Sequence, residues 1–150
     1  MTIFFGSDHA GFQLKEKIKK YLQEQGKKIE DLGAFDLNPD DDYPDFIIPV
    51  AKKVAENPEQ NMGIVLGGSG QGEAIVANRF KGVRAAVYYG GPLEIVELSR
   101  KHNNANVLSL GARFITKKQA IEAVDIWLKT SFEGGRHKQR VLKIEKLEID

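Results

Sequence analysis

The sequence predicts a doubly wound, Rossmann-like α/β fold with a five-stranded parallel sheet and helices on both faces. Three observations predict it. Short apolar runs recur along the chain, amphipathic helical patterns alternate with them, and Gly63-Ile64-Val65-Leu66 is continuously apolar, as expected of a strand covered on both sides. Such alternation implies parallel βαβ units with right-handed crossovers.

Ile3-Phe4-Phe5, closed by Gly6, reads as the first strand; Leu14, Ile18, Tyr21 and Leu22 then mark a helix that stops near Gly26. Residues 28–32 form a second strand. Asn38-Pro39 and the acidic stretch Asp40-Asp41-Asp42 predict an exposed loop. Ile47, Val50, Ala51 and Val54 recur at i, i+3, i+4 and i+7, the spacing of one helical face. The third strand, around Gly63–Leu66, runs into a glycine-rich turn and another helix. Ala85-Ala86-Val87-Tyr88 and Val107-Leu108-Ser109-Leu110 supply the last two strands, separated by a helix from about residue 93 to 101. Ala120, Ala123, Val124, Trp127 and Leu128 line the helix that follows. Gly134-Gly135 should break it. Val141, Leu142, Ile144 and Leu147 then form an apolar stripe on a final helix, about residues 136–148, which packs either on its own domain or on a neighbouring subunit.

A chain of 150 residues suits a single domain over its whole length. Its 22 Lys+Arg against 21 Asp+Glu give no global field that would draw it to nucleic acid or anionic lipid, so any anion must be held locally. The absence of cysteine excludes a disulfide framework, a thiolate metal site and a cysteine base together. Met1-Thr2-Ile3-Phe4-Phe5 lacks the pattern of a signal peptide, and no run reaches membrane-spanning length; a cytoplasmic location is the expectation.

In open parallel sheets ligands bind at the carboxyl ends of the strands. Three segments sit there: Ser7-Asp8-His9-Ala10-Gly11, Gly67-Gly68-Ser69-Gly70-Gln71-Gly72-Glu73, and Gly111-Ala112-Arg113. The glycine loop nearly fits a phosphate-binding P-loop, but Glu73-Ala74 stand where Lys and Ser/Thr are required. It also misses the dinucleotide pattern. Another use explains both departures: the amides stabilise an oxyanion that develops during reaction, while Glu73 removes a proton from carbon. The alternative is that Glu73 is an ordinary acid in the first turn of a helix.

All three histidines lie in polar contexts, His9 after a strand, His102 in Arg100-Lys101-His102-Asn103-Asn104, and His137 in Arg136-His137-Lys138-Gln139-Arg140. Their sequence spacing does not match a compact zinc site, so no metal is expected. Arg113, Arg136 and Arg140 could clamp a phosphate by bidentate hydrogen bonds, with His9 and His137 as further donors. Each taken singly also fits a solvated surface.

The segments Ser7–Gly11, Gly67–Glu73 running into Ala77-Asn78-Arg79, His102-Asn103 followed by Asn106-Val107-Leu108, and Arg136-His137-x-x-Arg140 together resemble the type B ribose-5-phosphate isomerases. They also resemble the related galactose-6-phosphate isomerase subunits. The resemblance implies a metal- and cofactor-free aldose-ketose isomerase that interconverts ribose 5-phosphate and ribulose 5-phosphate through a cis-enediolate. On that resemblance His102 assists ring opening, with Asp8 near the same oxygen, and Ser69 relays a proton between substrate oxygens. Gly68, Gly70 and Gly72, with Asn103, hold the enediolate oxygen. His9, Arg113, Arg136, His137 and Arg140 contact phosphate and hydroxyls, and Tyr43 lies near the sugar. The resemblance also implies a homodimer or dimer of dimers in which the late basic residues can come from the partner. Many members carry a cysteine base where this chain has Gly67; a branch uses a glutamate one residue after the last loop glycine, where Glu73 stands. A six-carbon substrate (galactose or allose 6-phosphate) is the alternative within the family, and a non-catalytic phosphate sensor the alternative outside it.

Overall fold

The computed structural model describes residues 1–147. Its elements run β1 (Thr2–Ser7), α1 (His9–Glu24), β2 (Ile29–Asp31), α2 (Pro44–Glu56), β3 (Asn61–Gly67), α3 (Gln71–Ala77), β4 (Ala85–Tyr88), α4 (Glu94–Asn103), β5 (Val107–Gly111), α5 (Lys117–Lys129) and α6 (Arg136–Glu145). The last expected helical position, Glu148, lies outside the described residues. All four strand pairings are parallel, and the order across the sheet is β2-β1-β3-β5-β4. The predicted fold class is therefore the observed one.

Alternation along the strands divides the interior into two cores. Ile3, Phe5, Ile64, Leu66, Leu108 and Leu110 face one side and pack against α1, α4 and α5; Phe4, Val65 and Val107 face the other and pack against α2 and α3. This is the period of two expected for a pleated strand with both faces covered. Ile47, Val50, Ala51 and Val54 of α2 are all fully buried. Where α1 begins, a Cβ on Gly11 would lie 2.5 Å from the Cβ of Leu66, so only glycine lets the first turn of α1 close on β3.

Lys15 of α1 is fully buried, an arrangement the sequence did not announce. Its ammonium donates to both oxygens of Asp31 at 2.8 and 2.9 Å and to the carbonyl of Ala34, which fastens α1 to the end of β2. Its charge is thereby paired and hydrogen-bonded, as a buried cation requires.

The apolar stripe of α6 is only partly used. Val141 is buried, whereas Leu142, Ile144 and Leu147 are about half exposed or more. No helix among the described residues is long and apolar enough to cross a membrane.

Candidate active site

β1, β3 and β5 lie side by side, so the segments that follow them meet at the carboxyl edge of the sheet. Asp8 caps α1, its Oδ1 accepting from the amides of Ala10 at 3.0 Å and Gly11 at 3.3 Å, and it is nearly buried. The glycine loop is tied to β5 by its carbonyls. Gly67 accepts from the amide of Ala112, Gly68 from that of Arg113, and Gly70 from the Ser109 hydroxyl at 2.6 Å. With its carbonyls so engaged, the loop's amides at Gly68, Ser69 and Gly70 donate to no acceptor among the described residues. Gly70 has φ +78°, and a Cβ there would press on the backbone of Leu110 and Gly111. Tyr43 lies against the loop, its hydroxyl 2.7 Å from where a Cβ on Gly72 would be, and the Arg113 guanidinium lies over Gly68.

Glu73 is in the first turn of α3 but is buried, which an ordinary helix-start acid is not. A Cβ on Gly67 would fall inside its carboxylate, so the absence of a side chain at 67 is what gives Glu73 its place. Burial pushes its pKa above the ordinary value of 4.5; a hydrogen bond from its own amide opposes the shift and the nearby Asp8 carboxylate adds to it. A carboxylate whose proton affinity is raised, beside amides with no protein acceptor, can take a proton from carbon while those amides hold the resulting oxyanion.

His102, His137, Arg136 and Arg140 form a second group. The rings of His102 and His137 stack at 4.1 Å and 13°, and the carboxylate of Glu133 lies 3.8 and 3.9 Å from their Nε2 atoms. Arg140 donates to Nδ1 of His137 at 3.4 Å, so that nitrogen carries no proton. Burial first, then His102, Arg136 and Arg140, hold the pKa of His137 below 6.5. A depression of about 360 Å³ is lined by His102, Glu133, Arg136 and His137. The fold thus joins two histidines that sequence spacing kept apart, with an acid beside them. Their rings are nearly parallel, so the in-plane lone pairs run side by side instead of converging on one ion.

The two groups occupy opposite edges. His102 and Asn103 end α4, which returns from the carboxyl end of β4 to the start of β5; Asp8, Ser69, Glu73 and Arg113 follow strand ends. The strands separate these edges by about 15 Å. One chain therefore does not bring His102 and Asn103 to Asp8 and Glu73.

The sequence profile of the Ribose/Galactose Isomerase family matches residues 3–144. The chain belongs to this family. Its relatives include the probable ribose-5-phosphate isomerase B of Mycoplasma genitalium, 43% identical over 147 residues that cover 98% of this chain and 95% of the relative. The ribose-5-phosphate isomerase B of Mycolicibacterium paratuberculosis is 42% identical over 94% of this chain and 87% of its own. The crystal structure of the Mycoplasma genitalium enzyme with bound ribulose 5-phosphate superimposes with a TM-score of 0.93, covering 97% of this chain and 94% of that one. The Thermotoga maritima enzyme does so with a TM-score of 0.90 at 42% identity, over 97% and 98% of the two chains.

Within this family fold, two side chains missed by the sequence reading join the groups. Asp41, placed in an exposed acidic loop, turns its carboxylate inward to His9; its side chain is 7% exposed. Glu133 meets both stacked histidines. No periodicity or spacing marks either residue.

Proposed function

We propose that this chain interconverts ribose 5-phosphate and ribulose 5-phosphate through a cis-enediolate, with Glu73 moving the proton between C2 and C1. The observation that carries the reading is the buried Glu73 carboxylate beside the open amides of the glycine loop. Glu73 takes the C2 proton, the electron pair forms the C1–C2 double bond, and the proton returns to C1. The Ser69 hydroxyl relays a proton between O2 and O1. The amides of Gly68, Gly70 and Gly72, with Asn103, stabilise the enediolate oxygen, each well-aimed donor contributing roughly 3 to 4 kcal/mol. The substrate is oxidised at one carbon and reduced at its neighbour, so the chemistry needs no external electron acceptor or cofactor.

The chain falls in the glutamate branch of the family. It has no cysteine, and the Glu73 carboxylate takes the space that a side chain at 67 would need.

His9, Tyr43 and Arg113 bind substrate from the same chain as Glu73, and Asp8 hydrogen-bonds the sugar there near the oxygen at which His102 assists ring opening. His102, Asn103, Arg136, His137 and Arg140 are supplied by a second copy, so that each site of a homodimer is assembled from two chains. What supports this is the placement of the two groups at opposite edges, together with the exposed Leu142, Ile144 and Leu147 on α6. The chain is one domain throughout, with α6 packed on the partner, and a dimer of dimers would keep the same composite site.

The test is incubation with ribose 5-phosphate in deuterated water with a chelator present, followed by NMR. Ketose formation with deuterium at the transferred position is expected. Turnover confined to six-carbon sugar phosphates would replace the substrate, arrest by the chelator would overturn metal independence, and binding without turnover would leave a sensor.

A further inference from the structure

We propose that Asp41 is a positioning residue of this site, holding the His9 imidazole as its Nδ1–H tautomer so that Nε2 is the nitrogen offered to the sugar phosphate. The inference rests on the reading above in which His9 meets substrate.

Oδ1 of Asp41 lies 2.7 Å from Nδ1 of His9 and accepts the backbone amide of the same residue at 3.0 Å. An ionised carboxylate has lone pairs and no proton to give, so at this distance Nδ1 carries the hydrogen. The amide bond matters equally. His9 opens α1, and its N–H is one of the helix-start donors that no carbonyl of the helix can reach. Two bonds to one oxygen fix the backbone and the ring together, leaving the imidazole little freedom to flip.

The carboxylate has no other occupation. Oδ2 of Asp41 is buried and receives no hydrogen bond among the described residues, so His9 supplies every donor this side chain meets there. Its backbone is held separately. The amide of Asp41 donates to the carbonyl of Asn38 at 3.2 Å, and the Asn38 side chain accepts from the amide of Asp40, a turn that aims residue 41 at the start of α1. Asp8, His9 and Asp41 place their ligand-type atoms within 4.8 Å of one another, but Nδ1 of His9 is spent on Asp41 and Oδ1 of Asp8 on capping α1. Within the cluster, His9 and Asp41 are joined by hydrogen bonds, while Asp8 stands beside them as the cap of α1.

A purely structural role would be to staple the loop of residues 38–42 to α1 through the His9 amide alone. The two roles separate in the whole enzyme. Nitrogen-15 NMR of wild-type His9 should report a protonated Nδ1; an Nε2-protonated neutral ring would overturn the proposal without any variant. Asp41→Ala should raise KM for ribose 5-phosphate about tenfold with little change in kcat, and Asp41→Asn, whose amide oxygen can still accept both bonds, should recover most of the loss. In a His9→Ala background Asp41→Ala should add nothing. Additive losses would leave Asp41 a loop staple. An unchanged KM in His9→Ala would remove His9 from the site and take this inference with it, whereas a damaged His9→Ala beside an indifferent Asp41→Ala would overturn this inference alone.

Discussion

The carboxylate of Glu73 fills the space that a side chain on Gly67 would need. A base at position 67 and a base at position 73 are therefore mutually exclusive in this backbone. Gly67→Cys should displace Glu73, abolish turnover and destabilise the protein by about 1 to 3 kcal/mol, the usual range for overpacking. Combined with Glu73→Ala, the same cysteine has room. The double variant should regain stability and part of its activity, with the acid limb of its pH profile moved toward the thiol range near about 8.5. Melting curves and pH-rate profiles of both variants check the relationship; a stable and fully active Gly67→Cys would refute it.

Glu73→Gln removes the proposed base while keeping its size. Turnover should fall by about 10² to 10⁴-fold, and an enediolate mimic such as a sugar hydroxamate phosphate should still bind. The variant should also be the more stable protein at neutral pH. Burial raises the Glu73 pKa above 4.5, so the native state holds this proton after the unfolded chain has released it, and stability declines as pH rises through that window. The glutamine has no such decline. Its advantage in Tm should be present at pH 7 and disappear below pH 4.5, and an advantage that grows in acid would reverse the assignment.

The fold was legible because burial on two faces leaves a periodic record. Ile64 and Leu66 serve one core and Val65 the other, and the four apolar residues chosen on α2 are all fully buried. Asp8, Ser69 and Arg113 were legible as candidates for one site because each follows a strand, and strand ends meet at one edge. His102 lies in the last turn of a helix, which puts it at the other edge; motif order alone gives no sign of that separation. Asp41 was hidden for a different reason. Asp40, Asp41 and Asp42 are identical in chemistry, and which of them turns inward depends on a turn at Asn38 that carries no hydrophobic pattern.

His102 should matter most when the sugar ring must be opened. His102→Ala is expected to depress turnover of the cyclic form of ribose 5-phosphate far more than the reverse reaction from ribulose 5-phosphate, which has no pyranose or furanose ring to open. Burst kinetics on freshly dissolved aldose and steady-state rates from ketose separate the two. Equal losses in both directions would place His102 in the proton-transfer step or in binding.

Composite sites make a quantitative demand on mixed dimers. Arg140→Ala and Glu73→Gln each spoil every site in their own homodimer. In a mixed dimer, however, the proposed composite arrangement sets the Glu73 of the first chain against the Arg140 of the second, so one of the two sites should be intact. Random exchange of equal amounts makes half the dimers mixed, so about a quarter of all sites should work. Subunit exchange can be verified by mass spectrometry before activity is read. Recovery near that fraction requires Arg140 and Glu73 to serve one substrate from different chains, and no recovery after verified exchange would confine both residues to sites within a single chain.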